Sequence, residues 1–362
     1  MRRFWRQYKS VIIAFVGWRI LLELVTWVSP YLFPPRAAFL SAMPWANMDG
    51  GHYLYIAGSG YGLFEQAFFP FYPLLIRGLS IFPVSHVYAG LIISHTTFFA
   101  GLLLFYDLAA RLDRKNALWA VLFLLSFPTS FFFAAVYSTS LFFLLSVATL
   151  LAVERREWLF AGLSGFLASF TRIYGVFLVI PALVKRMKVK APGKWKDIAF
   201  ISFIPGGLLV YMVYLQVVYG DALKFIHVLP AYGSQRSASQ IILLPQVFWR
   251  YAKIFVTASP TTVEYGVAAL EAVVFIFFLY LLVRALSTHM HVSYIFYCAI
   301  VLIMPTLTGT LTSIPRYVLD AFPLFIIMGM AHNTWVKVIM LGVMLAALVI
   351  CTSLFLRGYF VA

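Results

Sequence analysis

Charge is what this chain lacks most. Asp, Glu, Lys and Arg together make up 11% of its 362 residues, whereas soluble proteins carry roughly a quarter. Acidic residues are the scarcest, with 12 Asp and Glu against 27 Lys and Arg, and hydrophobic residues make up 63% of the chain. This composition excludes an ordinary soluble domain and predicts an all-α polytopic membrane protein that forms a single domain over residues 1–362.

Cysteine is nearly absent as well. The two cysteines, Cys298 and Cys351, both lie in apolar runs, which excludes a disulfide framework and favours a place in the core. No H-x-x-x-H or H-E-x-x-H spacing occurs, and the polar segment around Asp49 reads N-M-D-G rather than D-x-D. The sequence therefore gives no support for a bound metal ion, and we expect no cofactor.

The net charge of +15 raises the question of a nucleic-acid partner. Nucleic-acid binding needs basic residues gathered on a soluble surface, but here they lie between hydrophobic runs, so we expect no nucleic-acid partner.

The N-terminal "MRRFWRQYKS" precedes an apolar run with no small-residue cleavage site after it. This pattern predicts an uncleaved first membrane span.

Hydrophobic runs long enough to cross a bilayer, about 20 residues each, recur along the chain. They lie at about 10–29, 86–109, 117–134, 136–153, 197–219, 264–285, 292–311, 316–331 and 336–356. A further stretch, 158–184, is longer than one span, contains Arg172 and has basic segments on both sides. Because basic segments prefer the cytoplasm, this stretch should leave and return as two short helices that meet near Arg172. The sequence thus predicts about eleven crossings, with the N-terminus in the cytoplasm and the C-terminus outside.

The distribution of positive charge supports this orientation. Of the 27 Lys and Arg residues, 17 fall in predicted cytoplasmic segments and 8 in predicted external ones. The orientation places two large loops, about 30–85 and 220–262, on the extracytoplasmic side. Within the first loop, "FFPFYPLLIRGLSIFP" predicts an amphipathic helix in the membrane interface, with Arg77 towards the headgroups.

The first external loop is the densest polar and aromatic segment of the chain. On a helix that begins near Asp49, the side chains of Asp49, His52 and Tyr53 share one face and could line a cavity. The alternative is that Asp49 caps this helix and that Gly58 and Gly60 end it. The sequence leaves both interpretations open, and they are compatible.

Three arginines lie in or near the predicted spans, where a guanidinium costs at least about 2.5–3.5 kcal/mol and so needs a partner. Arg19 has Glu23 four residues later, which favours a local ion pair. Arg316 has Asp320 at the same spacing, which leaves a local pair and contact with an anionic ligand both open. Arg172 has no acidic residue nearby in sequence. It is therefore the better candidate to contact an anionic ligand such as a phosphate.

The segment "MDGGHYLYIAGSGYGLFEQAFFPFYPLL" (48–75) resembles the first lumenal loop of the GPI mannosyltransferase II (PIG-V-like) family of the GT-C superfamily. The matching positions include Asp49, His52, Tyr53 and Glu65. "FTRIYG" (170–175) and "IPRYVLDAFPLF" (314–325) are similar to two later motifs of bacterial and archaeal members, so the resemblance covers most of the chain. Met48 departs from the pattern, which usually has Trp before the Asp.

This resemblance implies a GT-C fold and an inverting sugar transfer, commonly of mannose, from a polyprenyl- or dolichyl-phosphate donor to a lipid-linked or glycan acceptor. It implies an extracytoplasmic active site in a prokaryotic plasma membrane, or in the ER membrane of a eukaryote, and leaves any partner subunit unknown. The residue roles that follow are Asp49 as catalytic base, Arg172 and Arg316 as ligands of the donor phosphate, and His52, Tyr53, Glu65 and Gln66 as substrate-binding residues. Two rival functions are a transporter or flippase of lipid-linked glycans and a catalytically inactive assembly subunit.

Overall fold

The computed structural model describes residues 2–36, 43–190, 192–233, 236–237 and 240–361. All the regular secondary structure in these ranges is helical and they contain no strand, which confirms the all-α prediction. The α-helices are α1 (Arg2–Leu32), α2 (Asp49–Ser59), α3 (Phe71–Leu79), α4 (His86–Leu112), α5 (Ala117–Ser126), α6 (Thr139–Arg155), α7 (Trp158–Thr171), α8 (Val179–Lys188), α9 (Lys194–Ile201), α10 (Gly206–Tyr219), α11 (Lys224–His227), α12 (Leu244–Thr257), α13 (Val263–Ala285), α14 (Val292–Ile303), α15 (Ile314–Tyr317), α16 (Pro323–Gly329) and α17 (Thr334–Leu356).

Four helices of the described chain are long and apolar enough to cross a membrane. They are Phe4–Leu32 of α1, α4, α13 and α17. The pair α9 and α10, which meets at an angle of 43°, would make a fifth span if it acts as one. Long apolar helices of the expected kind are thus present, while the total of eleven crossings stays a prediction.

Several predicted spans consist of shorter pieces. The run at 117–134 divides into α5 and a 3-10 helix, Ser130–Phe133, with Pro128 between them. The run at 292–311 likewise divides into α14 and the 3-10 helix Met304–Thr308, which contains Pro305. Proline interrupts the helical hydrogen bonds because it has no backbone N–H. Short segments buried inside a helical protein are as apolar as segments that face lipid, so hydropathy alone does not separate them.

The stretch around Arg172 turns back as the sequence predicted. Helix α7 ends at Thr171, Arg172 has an extended backbone with φ −153°, and a 3-10 helix, Ile173–Leu178, leads into α8. Lys185 Nζ of α8 lies 2.7 Å from Glu154 Oε2 of α6, just before α7 begins. The beginning of α7 and the end of α8 therefore lie at the same end of the molecule.

Contacts between helix termini define two ends of the molecule. At the first, which we call the Asp107 end, Gln7 Nε2 donates to Asp107 Oδ1 at 3.0 Å and Lys337 Nζ donates to Asn116 Oδ1 at 2.7 Å. These bonds bring together the beginnings of α1, α5 and α17 and the last turns of α4. At the opposite end, which we call the Asp49 end, the backbone N–H of Arg36 donates to the Arg357 carbonyl at 3.0 Å. Which of the two ends faces the cytoplasm stays a prediction.

The core between α4 and α6 holds the segment that reaches the candidate site. Gly101 of α4 permits close approach, because a Cβ atom there would lie 2.9 Å from the Phe143 ring and 3.1 Å from the Leu144 Cα. Phe98 and Phe133 stack with their ring centroids 4.1 Å apart. This packing fixes the turn between residues 133 and 139, from which side-chain hydroxyls point to the site described next.

Candidate active site

A cavity of about 320 Å³ lies at the Asp49 end. Its wall is formed by the beginning of α2, residues 67–69, the break after α7, residues 225–232 together with Arg236, and residues 304–317. The polar side chains that line it include Asp49, Tyr53, Arg172, Arg236, Arg316 and Tyr317. Four of these six, all except Arg236 and Tyr317, are residues that the sequence predicted for the site.

Asp49 is the first residue of α2 and faces this cavity. Met48 occupies the N-cap position, and its φ of +54° places it in a conformation that few non-glycine residues adopt. The Asp49 carboxylate accepts a hydrogen bond from Nη1 of Arg316, and among the described residues it accepts none from the backbone of α2. Asp49 therefore does not cap its helix. The other part of that interpretation is confirmed, because α2 ends at Ser59 and Gly60 follows with φ +85°.

Arg316 is the fixed cation of the site. Its side chain is 9% exposed, against 21% for Asp49, and its guanidinium carbon lies 5.4–5.6 Å from the ring centres of Phe132, Tyr137 and Tyr317. These aromatic faces attract the cation and restrict its orientation. The Nε atom is buried and has no hydrogen-bond partner among the described residues. A buried donor without a partner costs about 1–3 kcal/mol, so an acceptor atom that reached Nε would stabilise the site.

Arg172 is held entirely by protein side chains. Its Nη1 donates to Asp320 Oδ2 at 2.7 Å, Nε to Ser138 Oγ at 3.0 Å, and Nη2 to Thr139 Oγ1 at 2.8 Å. The local pairing of Arg316 with Asp320, which the sequence left open, is wrong: Asp320 pairs with Arg172, and Arg316 pairs with Asp49. The helical spacing misleads here because α15 ends at Tyr317, so positions 316 and 320 do not share one continuous α-helix.

Tyr53 connects α2 to Arg172 through a shared hydroxyl. The Tyr53 hydroxyl and Ser138 Oγ lie 2.7 Å apart, and Ser138 Oγ also accepts from Arg172. Tyr53 is 6% exposed, and this burial raises the pKa of Tyr53 above its ordinary value of 10.0. The hydroxyl therefore stays neutral at physiological pH, and its side chain lines the cavity while the hydroxyl bonds to Ser138.

The other predicted substrate-binding residues lie beside the cavity rather than in its wall. His52 Nδ1 lies 3.1 Å from Glu65 Oε1, Glu65 Oε2 accepts from the Gly62 backbone N–H at 2.8 Å, and the His52 ring stacks on Phe68. Gln66 Nε2 donates to the Gly62 carbonyl at 2.9 Å. These contacts hold the loop that presents Phe68 and Phe69 to the cavity. A direct contact of His52, Glu65 or Gln66 with substrate stays a prediction.

Arg236 is the residue that sequence reasoning missed. It lies in the second predicted external loop, and its Nη2 donates to Ser313 Oγ at 3.3 Å. Among the described residues it has no carboxylate partner, unlike Arg172 and Arg316. A single arginine in a polar loop does not form a recognisable sequence motif. The only available signal was the predicted placement of loops 30–85 and 220–262 on one side of the membrane.

The site carries a net positive charge. Three guanidinium groups, those of Arg172, Arg236 and Arg316, face two carboxylates, those of Asp49 and Asp320. Within the ranges that the structure describes, no three His, Cys, Asp or Glu side chains converge as metal ligands would. The cavity therefore suits an anion, held by guanidinium groups next to one partly accessible carboxylate.

Two comparisons with known proteins find no match to this chain. A scan against models of protein families finds none that matches this chain, and a search of the curated proteins finds no similar sequence. Membership of the PIG-V-like family, suggested by the motif residues in 48–75, 170–175 and 314–325, therefore stays a prediction.

Proposed function

We propose that this protein is an inverting glycosyltransferase of the GT-C type, acting as a mannosyltransferase, that moves a sugar from a polyprenyl- or dolichyl-phosphate donor to a lipid-linked or glycan acceptor. One observation carries the proposal: Asp49 and Arg316, 267 positions apart, pair in the wall of a cavity that contains two further arginines. A carboxylate for the acceptor proton beside a cation for the donor phosphate is the pair of groups that such a transfer needs.

The reaction is a displacement at the anomeric carbon of the donor sugar. The acceptor hydroxyl gives its proton to Asp49, and its oxygen forms the new glycosidic bond from the face opposite the phosphate. The bond between the anomeric carbon and the phosphate oxygen breaks, and its electron pair leaves with the lipid phosphate. Because a phosphate monoester is already a stable anion, no general acid is required, and a single positioned carboxylate suffices.

The three arginines have different roles in the proposed reaction. Arg316 offers its unpartnered Nε to a phosphate oxygen, and Arg236 offers a guanidinium that no described carboxylate holds. Each nitrogen of Arg172 already donates to Asp320, Ser138 or Thr139, so it contributes charge and holds the position of Tyr53 through Ser138. Cations placed where charge develops on the leaving group stabilise the transition state.

The proposed location is a membrane, with the Asp49 end on the extracytoplasmic side. A lipid-linked donor partitions into the bilayer, and the described chain has four helices long and apolar enough to cross one. In this arrangement the cavity and the donor phosphate both lie at the membrane surface, and the isoprenoid chain of the donor runs along the apolar helices. The membrane is the plasma membrane of a prokaryote, or the ER membrane of a eukaryote.

The direct test uses the purified protein in liposomes that contain a polyprenyl-phosphate mannose with a labelled sugar. Mass spectrometry of the lipid and glycan fraction should show the label in a new glycosidic bond, and the Asp49→Asn variant should not form it. A transporter or flippase would carry the labelled lipid across the bilayer without forming this bond, and an inactive subunit would do neither. Either result would overturn the proposal. Glycan profiles of cells with and without the gene would identify the acceptor.

A further inference from the structure

A separate cavity, of about 680 Å³, lies at the Asp107 end, and we call it the Asp107 cavity. It is formed by the beginning of α1, the last two turns of α4, the loop after α4 and the last residue of α6. The space lined by Asp49 and Arg316, which we call the Asp49 cavity, lies at the opposite end. The reaction proposed at Asp49 makes no use of the Asp107 cavity.

Four arginines line the Asp107 cavity against a single carboxylate. The arginines are Arg6, Arg111, Arg114 and Arg155, and all four are exposed. The carboxylate is that of Asp107, whose Oδ2 lies 3.8 Å from Nη2 of Arg155. The cavity thus carries an excess of three positive charges.

The Asp107 carboxylate is held by the protein itself. Its Oδ1 accepts a hydrogen bond from Gln7 Nε2 at 3.0 Å, and its Oδ2 accepts one from the Tyr8 hydroxyl at 2.8 Å. These bonds fix how α1 lies against α4, and the side chain of Asp107 is only 16% exposed. A single carboxylate neutralises no more than one of the four arginines.

Three of the arginines have no protein partner in the ranges that the structure describes. Arg6, Arg111 and Arg114 form neither an ion pair nor a side-chain hydrogen bond there. Like charges that are held close together repel each other. The fold therefore gathers cations from α1, α4 and the loop after α4 without supplying anions for them, and an anion in the cavity would relieve this repulsion.

Helix dipoles explain only part of this cluster. Arg111 and Arg155 lie in the last turns of α4 and α6, where the negative end of a helix favours a cation. Arg6 lies near the beginning of α1, where the positive end of a helix disfavours one, and the first turn of α1 contains no acidic residue. An anion beside Arg6 would interact favourably with the side chain and with the helix.

The position of the cavity favours a membrane lipid as the source of this anion. Both α1 and α4 are long and apolar enough to cross a membrane, and the cavity lies where both of them end. Phe4 and Trp5, next to Arg6, are 49% and 50% exposed, and exposed aromatic rings at the end of a span are typical of the membrane interface. Lipid phosphates lie at this depth, so a headgroup can reach the arginines while its acyl chains stay in the bilayer.

We infer that the Asp107 cavity binds the headgroup of an anionic membrane lipid that carries two phosphates. An excess of three positive charges matches two phosphates better than one, and a planar guanidinium binds two phosphate oxygens at once. The lipid is not a substrate: its headgroup joins the beginning of α1 to the ends of α4 and α6. This inference needs the protein to lie in a membrane, but it needs no sugar transfer.

The experiment measures binding of lipids to the full-length protein in a neutral detergent by native mass spectrometry. Cardiolipin, which has two phosphates, should bind at least about tenfold more tightly than phosphatidylcholine, whose one phosphate is balanced by choline. Phosphatidylglycerol, with one phosphate and no cation, should bind with intermediate affinity. Glycerol 1-phosphate, which has no acyl chains, should not displace cardiolipin at an equal concentration.

Two variants test the arginines. Arg6→Gln and Arg111→Gln should each weaken cardiolipin binding by about fivefold, which is the contribution of one basic residue near an anionic lipid surface. The double variant should weaken it by about 25-fold if the two contributions add. Both side chains are exposed and lack a partner in the described chain, so without lipid the variants should melt as the wild type does.

The matched control is Arg284→Gln. Helix α13 begins at the Asp49 end, where Glu264 lies 4.0 Å from Arg36, so its last turn, which contains Arg284, lies at the Asp107 end. Arg284 does not line the Asp107 cavity. This variant removes the same charge from the same end of the molecule, and it should bind cardiolipin as the wild type does.

Each result decides one claim. Equal binding of cardiolipin and phosphatidylcholine, or equal effects of Arg6→Gln and Arg284→Gln, overturns the site, since general attraction to a basic surface would then suffice. Equal binding of cardiolipin and phosphatidylglycerol overturns the choice of two phosphates. Displacement of cardiolipin by an equal concentration of glycerol 1-phosphate overturns the choice of a lipid. Because no sugar donor is present, none of these results bears on the proposed transfer at Asp49.

Discussion

Arg172 and Asp320 lie 148 positions apart in the chain and form an ion pair in which the carboxylate is completely buried. The pair connects the break after α7 with the turn between α15 and α16, and through Ser138 and Thr139 it also reaches the beginning of α6. The position of the cavity wall thus depends on contacts between segments that are remote in sequence.

The pair should be a stability determinant. Asp320→Asn removes the charge opposite a guanidinium that the fold holds in place, and breaking one partner of a buried ion pair costs about 3–5 kcal/mol. We expect a clear fall in the melting temperature in detergent. The control is Asp221→Asn, because Asp221 pairs with His227 at the protein surface, where an ion pair contributes little. A wild-type melting temperature for Asp320→Asn would contradict the structural role.

Asp49→Asn should separate catalysis from folding. The amide oxygen can still accept from Arg316, and Asp49 is 21% exposed whereas Asp320 is completely buried, so the melting temperature should fall less than in Asp320→Asn. The amide cannot take a proton, and a general base typically contributes about 10²–10⁴-fold in rate. Transfer from polyprenyl-phosphate mannose in liposomes should fall by that factor. If Asp49→Asn transfers sugar normally, Asp49 is not the base.

Arg236→Gln should act on the donor alone. Its side chain has one described hydrogen bond, of 3.3 Å to Ser313 Oγ, so the variant should melt as the wild type does. Loss of a charged contact to the donor phosphate should raise the KM for the donor by about tenfold. Arg77→Gln is the matched control, since Arg77 is an exposed arginine on α3 that lines neither the Asp49 cavity nor the Asp107 cavity. Identical kinetics for the two variants would remove Arg236 from the donor site.

The orientation in the membrane can be tested with single cysteines. In a Cys298→Ala, Cys351→Ala background, we expect Ser59→Cys to react with a membrane-impermeant thiol reagent added to intact cells, and Lys190→Cys to react only after lysis. Residue 59 ends α2 at the Asp49 end, whereas residue 190 follows α8, whose basic last turn the charge rule assigns to the cytoplasm. The reverse pattern would place the Asp49 cavity in the cytoplasm.

Local sequence patterns predicted which residues belong to the site better than they predicted which of those residues form ion pairs with each other. The helix beginning at Asp49, its end at Gly60 and the break at Arg172 each follow from residues within a few positions, and each is observed. The partner of each arginine comes from a distant segment. Helical spacing suggested Asp320 for Arg316, but the chain turns at Tyr317, and tertiary packing gives that carboxylate to Arg172.

Hydropathy was equally limited for the number of crossings. Helix α5 and the residues after it are apolar and lie inside the protein, where Leu124 and Phe133 have no exposed surface, so whether this segment crosses the membrane stays a prediction. Arg236 belongs to no local motif. Its place in the site arises only when the loop before α12 packs against the segment 304–317, where the Ile242 N–H donates to the Leu307 carbonyl at 2.9 Å.

The ion pair of Asp49 with Arg316 has a kinetic consequence for the proposed reaction. Each group is the other's partner while the cavity contains no anion, so the base is restrained by the cation that the donor needs. A donor phosphate bound at Nε of Arg316 neutralises the guanidinium charge, which weakens the hold of Nη1 on Asp49 and frees the carboxylate for a hydroxyl. The enzyme would thus follow an ordered sequence in which the donor binds first, and the base would be restrained from activating water until a donor is in place.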